Sequence, residues 1–317
     1  MIYIVTRILE WTVPREPLVR CSRLGKGSES VILDALDLAL TLRGHGWEWS
    51  HGVKIPREYR PTDHRGFMLH VACSAITHAL ICGGLHKAIG SFDPTTIGAA
   101  GGSLYDDTLP LHTRHIRASI ISLVACAGIY TFIQLCYDIC TLVAVLFLRH
   151  DPEQWPPAFD APWLATSISD FWGRRWHQFF RRLFIVQGGI PLQFFFGRAG
   201  LVFGTFLSSA VLHYYVAMSI LTDKLESWRL LAGFTMFAPG VLAEIAFKRW
   251  TGRKVEGFAG RIWTVTWLFV WGTMCADGFA RAGVFGRFNF IELVLPENVK
   301  NVIEKLVTHL DGNLRAL

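Results

Sequence analysis

Between Ile116 and Leu148 the chain runs on with only two charged residues, Arg117 and Asp138. So long an apolar run cannot be left in water. In hydrocarbon, every backbone N–H and C=O must find its partner inside the segment, which leaves the α-helix as the local solution. Segments 67–89, 200–220, 229–247 and 261–279 repeat the pattern, so the run is one of several membrane spans. Composition agrees: 51% of residues are hydrophobic and 18% charged, mean hydropathy is +0.33, and there are 12 Trp and 23 Phe. Trp and Phe in this quantity suit interfacial belts. Strand-like alternation is absent, which argues against a transmembrane barrel. The expected fold is an all-α integral membrane protein, a multi-span helical bundle with an interfacial helix rich in Arg and Trp.

The net charge of +6 does not point to nucleic acid. The cations sit beside apolar segments, as in cytoplasmic loops that meet anionic lipid heads. This places loops 54–65, 174–182 and 248–254 on the cytoplasmic side and loops 90–115 and 222–228 on the luminal side. Three regions are expected: a cytoplasmic or interfacial lead-in, 1–66, with an amphipathic helix over 29–43; a multi-span membrane domain, 67–285; and a mildly amphipathic tail, 286–317. The short apolar run 1–9 contains Arg7 and has no small-residue cleavage site after it, so it does not read as a signal peptide. The seven cysteines form no CxxC pair and read as packing residues. His45 and His51 read as loop histidines, and no metal site is expected. His70, His78 and His86 recur every eight residues in the first span and fit either a histidine-lined path or polar groups turned into the bundle.

One stretch is too charged to cross a bilayer and too aromatic for a solvated linker: Ser167-Ile-Ser-Asp-Phe-Trp-Gly-Arg-Arg-Trp-His-Gln-Phe-Phe-Arg-Arg-Leu-Phe184. Its spacing predicts a helix. Ser167 and Asp170 have the form of a capping box, and Asp170 stands four residues before Arg174. Trp172, Trp176, Phe179, Phe180 and Leu183 make an apolar stripe, with Arg174, Arg175, Arg181 and Arg182 opposite. Such a helix lies in a membrane interface. A second segment, 185–197, is interrupted by Gly188-Gly189 and Pro191 and reads as a partial or re-entrant element. Pro239-Gly240 is expected to kink the span 229–247.

Intramembrane ionisable groups are candidates for function: Asp138, His213, Glu244, Asp277 and the first-span histidines. His213 lies among small and apolar residues with no acid close in sequence. It reads as a free base or as a bundle histidine bonded to a neighbour.

The segment Ser169-Asp-Phe-Trp-Gly-Arg-Arg-Trp-His-Gln178 resembles the hallmark of the wax synthase-like branch of the membrane-bound O-acyltransferase superfamily. There an aromatic, Arg-rich segment ending in Trp-Asn or Trp-His is followed some tens of residues later by a buried histidine. Arg43-Gly-His-Gly-Trp-Glu-Trp49 is similar to an Arg-Gly-x-Gly-Trp-x-Trp segment of fungal members, among them acetyltransferases of terpenoid natural products. The likeness runs from about residue 42 to 280. Two departures stand out. Tyr214 follows the histidine where relatives often have an acid, and relatives usually carry further spans towards the N-terminus.

The resemblance implies a tunnel at the membrane midplane and a location in the endoplasmic reticulum. It also implies transfer of an acyl group, most simply acetyl from acetyl-CoA, to a hydroxyl of a hydrophobic acceptor such as a terpenoid or meroterpenoid. No cofactor is held permanently; the acyl-CoA is a substrate. His213 would be the general base and His177 would steady the thioester oxyanion. Arg174, Arg175, Arg181, Arg182 and Trp176 would meet coenzyme A, although lipid heads would attract the same arginines. No Gly-x-Ser-x-Gly elbow is present, and no acyl-enzyme is required. Three other readings stay open: a long-chain wax-ester synthase, an integral-membrane terpene cyclase using Glu244, Asp138 or Asp277 as its acid, and a transporter.

Overall fold

The computed structural model describes residues 18, 35, 37–38, 41–48, 53–92, 98, 100–220 and 228–316. The N-terminal run 1–9, most of the helix expected over 29–43, Trp49, His51 and nearly all of the 222–228 loop lie outside them. Among the described residues there is no strand. The longer helices are α1 (His64–Phe92), α2 (Leu111–Phe147), α3 (Ile190–Ile220), α4 (Trp228–Thr235), α5 (Phe237–Thr251), α6 (Gly257–Arg281) and α7 (Glu297–Arg315). Four stretches of the described residues are long and apolar enough to cross a membrane: His64–Phe92, Leu111–Phe147, Arg181–Met218 and Trp228–Thr251. The protein is an all-α, multi-pass membrane protein. The fifth expected span, 261–279, is helical within α6, but it is not among those four. Arg261, Asp277 and three tryptophans dilute its hydropathy.

Helix limits follow local chemistry. α1 starts ahead of its apolar run because the Asp63 carboxylate accepts the Gly66 N–H at 2.8 Å and caps the first turn. The break between α4 and α5 falls at Met236, three residues before Pro239, which has no N–H for the i−4 ladder. At the break itself the Met236 carbonyl accepts the Trp267 indole N–H at 3.0 Å.

The described residues fall into two compact units. The first draws on Met1–His70, Cys140–Ser208 and Ala238–Thr264; the second on Val71–Ile139, Ser209–Phe237 and Val265–Leu317. The core of the second joins Ile89 and Phe92 of α1, Ala118, Ile121 and Ala125 of α2, Leu104, and Ala276 and Ala280 of α6. Helix α7, in the expected tail region, is tied into this unit by Arg117 to Asp311 at 2.6 Å and Lys87 to Glu304 at 2.6 Å.

In the first unit, 185–197 is part of a helical hairpin. Residues 185–189 form a π turn that leads into α3, and α3 is interrupted at Gly197 (φ 58°, ψ −141°). Gly188 and Gly204 would stand about 24 Å apart along one straight helix. Yet a Cβ built on Gly188 would lie 2.1 Å from the Gly204 carbonyl oxygen, and one on Gly200 would lie 2.0 Å from that of Leu192. The arms before and after Gly197 therefore run antiparallel with their backbones in contact. Arg181–Met218 is two segments joined at Gly197, and the interruption expected in 185–197 is found as a helical hairpin. Phe194, Phe195 and Phe196 stand exposed at the turn, with Arg198 just beyond.

The helix expected over 167–184 is overturned in part. Residues 168–170 are α-helical and 171–175 form a π turn, but Trp176 is extended (ψ 153°) and helix resumes only at Arg181. Helical spacing of the aromatics does not survive the break. The carbonyls left open there find other donors. The Gln178 amide donates to Trp172 O at 3.1 Å and Trp176 O at 2.7 Å, and the Asp160 N–H donates to Arg175 O at 2.9 Å.

Adding a methyl group to the hairpin seam must part the arms. Gly204→Ala is expected to lower stability by about 1–3 kcal/mol, whereas Gly272→Ala, with open space at its Cβ, stays within about 0.5 kcal/mol. Thermal melts of the detergent-solubilised protein, read by size exclusion, check this; equal midpoints for the two variants would refute the seam.

Candidate active site

The two histidines singled out by the resemblance belong to different units, His177 to the first and His213 to the second. Each has a defined setting of its own.

His213 is half-buried on α3. Its Nδ1 lies 2.7 Å from the Ser209 carbonyl oxygen, one helical turn back. A carbonyl can only accept, so Nδ1 carries a proton, and in the neutral form of the ring the lone pair lies at Nε2. Phe234 stacks on the imidazole at 3.8 Å and 14°, and Phe279 meets it edge-on at 6.3 Å. The ring is thus held in orientation by the Ser209 carbonyl and the two phenylalanines. That is a suitable state for a base that takes a proton from a hydroxyl.

His177 lies in the non-helical break, so its own helix does not set its direction. An aromatic box does. The ring stacks on Phe179 at 4.8 Å and 23°, and meets Phe159 nearly at right angles at 5.7 Å. Trp176 adjoins it at 5.6 Å and stacks on Phe171 at 5.4 Å.

The arginine candidates divide. Arg175 is mostly enclosed: it donates to Asp170 at 2.6 Å and to the carbonyls of Asp160 and Ala161 at 3.0 and 3.2 Å. Arg174, with 41% of its side chain exposed, pairs with Asp170 at 2.8 Å and Asp160 at 3.6 Å. Arg181 and Arg182 begin the short helix after the break. Ser167 caps the segment as expected, its hydroxyl accepting the Asp170 N–H at 2.9 Å.

The three intramembrane acids hold structure together. Glu244, 7% exposed, accepts the backbone N–H of Ile168 at 2.6 Å and of Ser169 at 3.0 Å, and the Trp263 indole N–H at 3.0 Å. It caps the segment that leads to His177. Asp277 receives Leu104 N–H, Ser103 Oγ–H and the Arg281 and Arg229 guanidiniums. Asp138 receives Ser74 Oγ–H at 2.6 Å and the Gln134 amide at 2.8 Å. All three carboxyl groups are thus occupied as hydrogen-bond acceptors within the fold. Two of the three first-span histidines are also engaged: His78 Nδ1 with Ser74 O, and His86 with Phe285 O and Glu292. That matches polar groups turned into the bundle. No group of metal-binding side chains occurs among the described residues.

Sequence reasoning missed the cap by Glu244, flagged only as a possible acid, and the role of Arg43. Arg43 is buried and bonded to Pro156 and Pro157, with its guanidinium over the Phe179 ring. The signal was present in Arg43-Gly-x-Gly-Trp47: Gly44 and Gly46 take φ of 64° and 82°, which a side chain would strain.

Two substitutions probe this network. Glu244→Leu takes the acceptor from two backbone N–H groups and the Trp263 indole N–H and is expected to cost about 3 kcal/mol, read as a lower thermal midpoint; an unchanged midpoint would dismiss the cap. For Asp170, burial raises the carboxyl pKa, but the bonds from Arg174 and Arg175 outweigh it and hold the value low. A depressed folded pKa gives stability that is complete above the unfolded value of about 3.9 and fades as pH falls through the folded one. The gap in midpoint between wild type and Asp170→Asn is expected to stay level above about pH 5 and close in stronger acid. A gap that widens in acid would contradict the pairing.

The model of the membrane bound O-acyl transferase family matches residues 155–238, which include both histidines. The chain is 29% identical over 143 residues to a probable long-chain-alcohol O-fatty-acyltransferase 6 of Arabidopsis thaliana, covering 42% of this chain and 41% of that one. It is 24% identical over 251 residues to acetyltransferase ple2 of Rhodocybe pseudopiperita, covering 73% and 62%. Acetyltransferase aurG of Calcarisporium arbuscula matches at 24% over 169 residues, covering 49% and 40%. The chain thus spans roughly two fifths to three fifths of the length of these relatives. No solved structure gives a significant match.

Proposed function

We propose that the protein is an O-acyltransferase that moves an acyl group, acetyl from acetyl-CoA, to a hydroxyl of a hydrophobic acceptor such as a terpenoid, in the endoplasmic reticulum membrane. The observation that carries this reading is the setting of His213, an imidazole clamped between Phe234 and the Ser209 carbonyl with Nδ1 as donor, in a chain whose relatives are named acetyltransferases and O-fatty-acyltransferases.

The chemistry is direct transfer. His213 Nε2 accepts the proton of the acceptor hydroxyl as its oxygen attacks the thioester carbonyl. Negative charge builds on the carbonyl oxygen, and His177, protonated at one ring nitrogen, donates a hydrogen bond to it. The C–S bond then breaks, and the leaving sulfur takes the proton from His213. Base catalysis supplies about 10²–10⁴-fold and an oxyanion donor about 10²–10³-fold. Arg174, Arg181 and Arg182 meet the phosphates of coenzyme A with Trp176 beside them, and Arg175 holds the segment in shape through Asp170. A second reading, wax-type transfer from a long acyl-CoA, is supported by the relatives named for long-chain alcohols.

Membranes containing the full chain, given labelled acetyl-CoA or palmitoyl-CoA with terpenoid and fatty alcohols, test this. Ester from acetyl-CoA that falls at least about 10²-fold in His213→Ala is the expected result. Ester from palmitoyl-CoA alone selects the second reading, and activity that survives in His213→Ala removes the histidine as base.

A further inference from the structure

We propose that Arg43 is a positioning residue for His177 and acts through the Phe179 ring; this rests on the role given to His177 above. The inference comes from a chain of contacts within the first unit. Arg43 is 6% exposed, and its guanidinium donates from one nitrogen to Pro157 O at 2.7 Å and from the other to Pro156 O at 2.6 Å. Proline fixes φ at both positions, so the two carbonyls form a rigid bracket for a planar two-pronged donor. Held there, the guanidinium carbon lies 5.4 Å from the centre of the Phe179 ring, within cation–π range. The same ring carries His177 stacked at 4.8 Å, and the connector that supplies the two carbonyls continues into Phe159, which meets His177 from another direction.

His177 needs this support because it sits between a π turn and a short helix. With no regular helix to direct it, the imidazole takes its orientation from the rings around it. Arg43 in turn is set by its own turn: Trp47 N–H bonds to Gly44 O at 2.9 Å, and the Trp47 indole donates to Asp37 at 2.8 Å. The Arg-Gly-x-Gly-Trp segment and the Trp-His segment, more than a hundred residues apart in sequence, are thereby parts of one mount.

Arg43→Lys keeps the charge and loses the planar fork. In membranes of the full chain, with rates divided by the amount of folded protein from size exclusion, Arg43→Lys is expected to lower kcat about tenfold, as for a small misplacement of a catalytic group. KM for the acyl-CoA stays within about twofold. Phe179→Leu gives a similar loss, Phe179→Tyr recovers most of it, and Arg43→Lys costs less than about twofold more once Phe179→Leu is present. A purely structural arginine would reduce folded protein and leave kcat per folded molecule unchanged; that outcome overturns the proposal. So do independent losses that multiply in the double variant. His177→Ala is the separate arm: a wild-type rate there rejects the oxyanion role of His177 itself, whatever Arg43→Lys does.

Discussion

A backbone N–H without a partner costs most where there is no water, and the motif segment of this protein begins with such groups. Glu244 answers them. Its carboxylate takes two successive N–H groups at the start of 168–175 and an indole N–H from α6. The pull of the helix dipole on an anion adds to those bonds. The rest of the segment hangs from this point. Ser167 closes the first turn, Asp170 gathers two arginines, and Arg175 ties the π turn to the carbonyls of the proline-rich connector. An acid in a membrane span is easily read as chemistry. Here its geometry is that of a cap.

The same logic explains how the segment can stop being helical at Trp176 inside a largely helical protein. Irregular backbone at depth survives when side chains replace the missing ladder. Gln178 does so with one amide bonded to two carbonyls. The break frees His177 from helical geometry and hands its orientation to an aromatic box. An aromatic, Arg-rich segment thus becomes a place to hold an imidazole rather than a stripe lying on lipid.

The sequence made the class of fold plain because long apolar runs have one solution in hydrocarbon: 67–89 lies inside α1, and all of 116–148 but its last residue lies inside α2. It showed the Ser167 cap and the Asp170–Arg174 pair, which depend on residues three or four apart. It hid the break at Trp176, because Trp172, Trp176, Phe179 and Leu183 match helical spacing whether or not a helix joins them. The cap by Glu244 and the mount on Arg43 were hidden for another reason. Each joins residues some 75 or more apart in sequence, and no local pattern encodes such a pairing. The interruption of 185–197 was legible because Gly188-Gly189 and Pro191 are poor helix formers, although the contact they serve, with Gly200 and Gly204, is tertiary.

The glycine seam also bears on how the chain enters a bilayer. The arms before and after Gly197 touch backbone to backbone at Gly188, Gly200 and Gly204. Either arm alone would show lipid a bare strip of peptide groups along that face. The first arm therefore gains its proper solvent only when the second has been synthesised. The hairpin is thus a single packing unit, complete only when both halves are present.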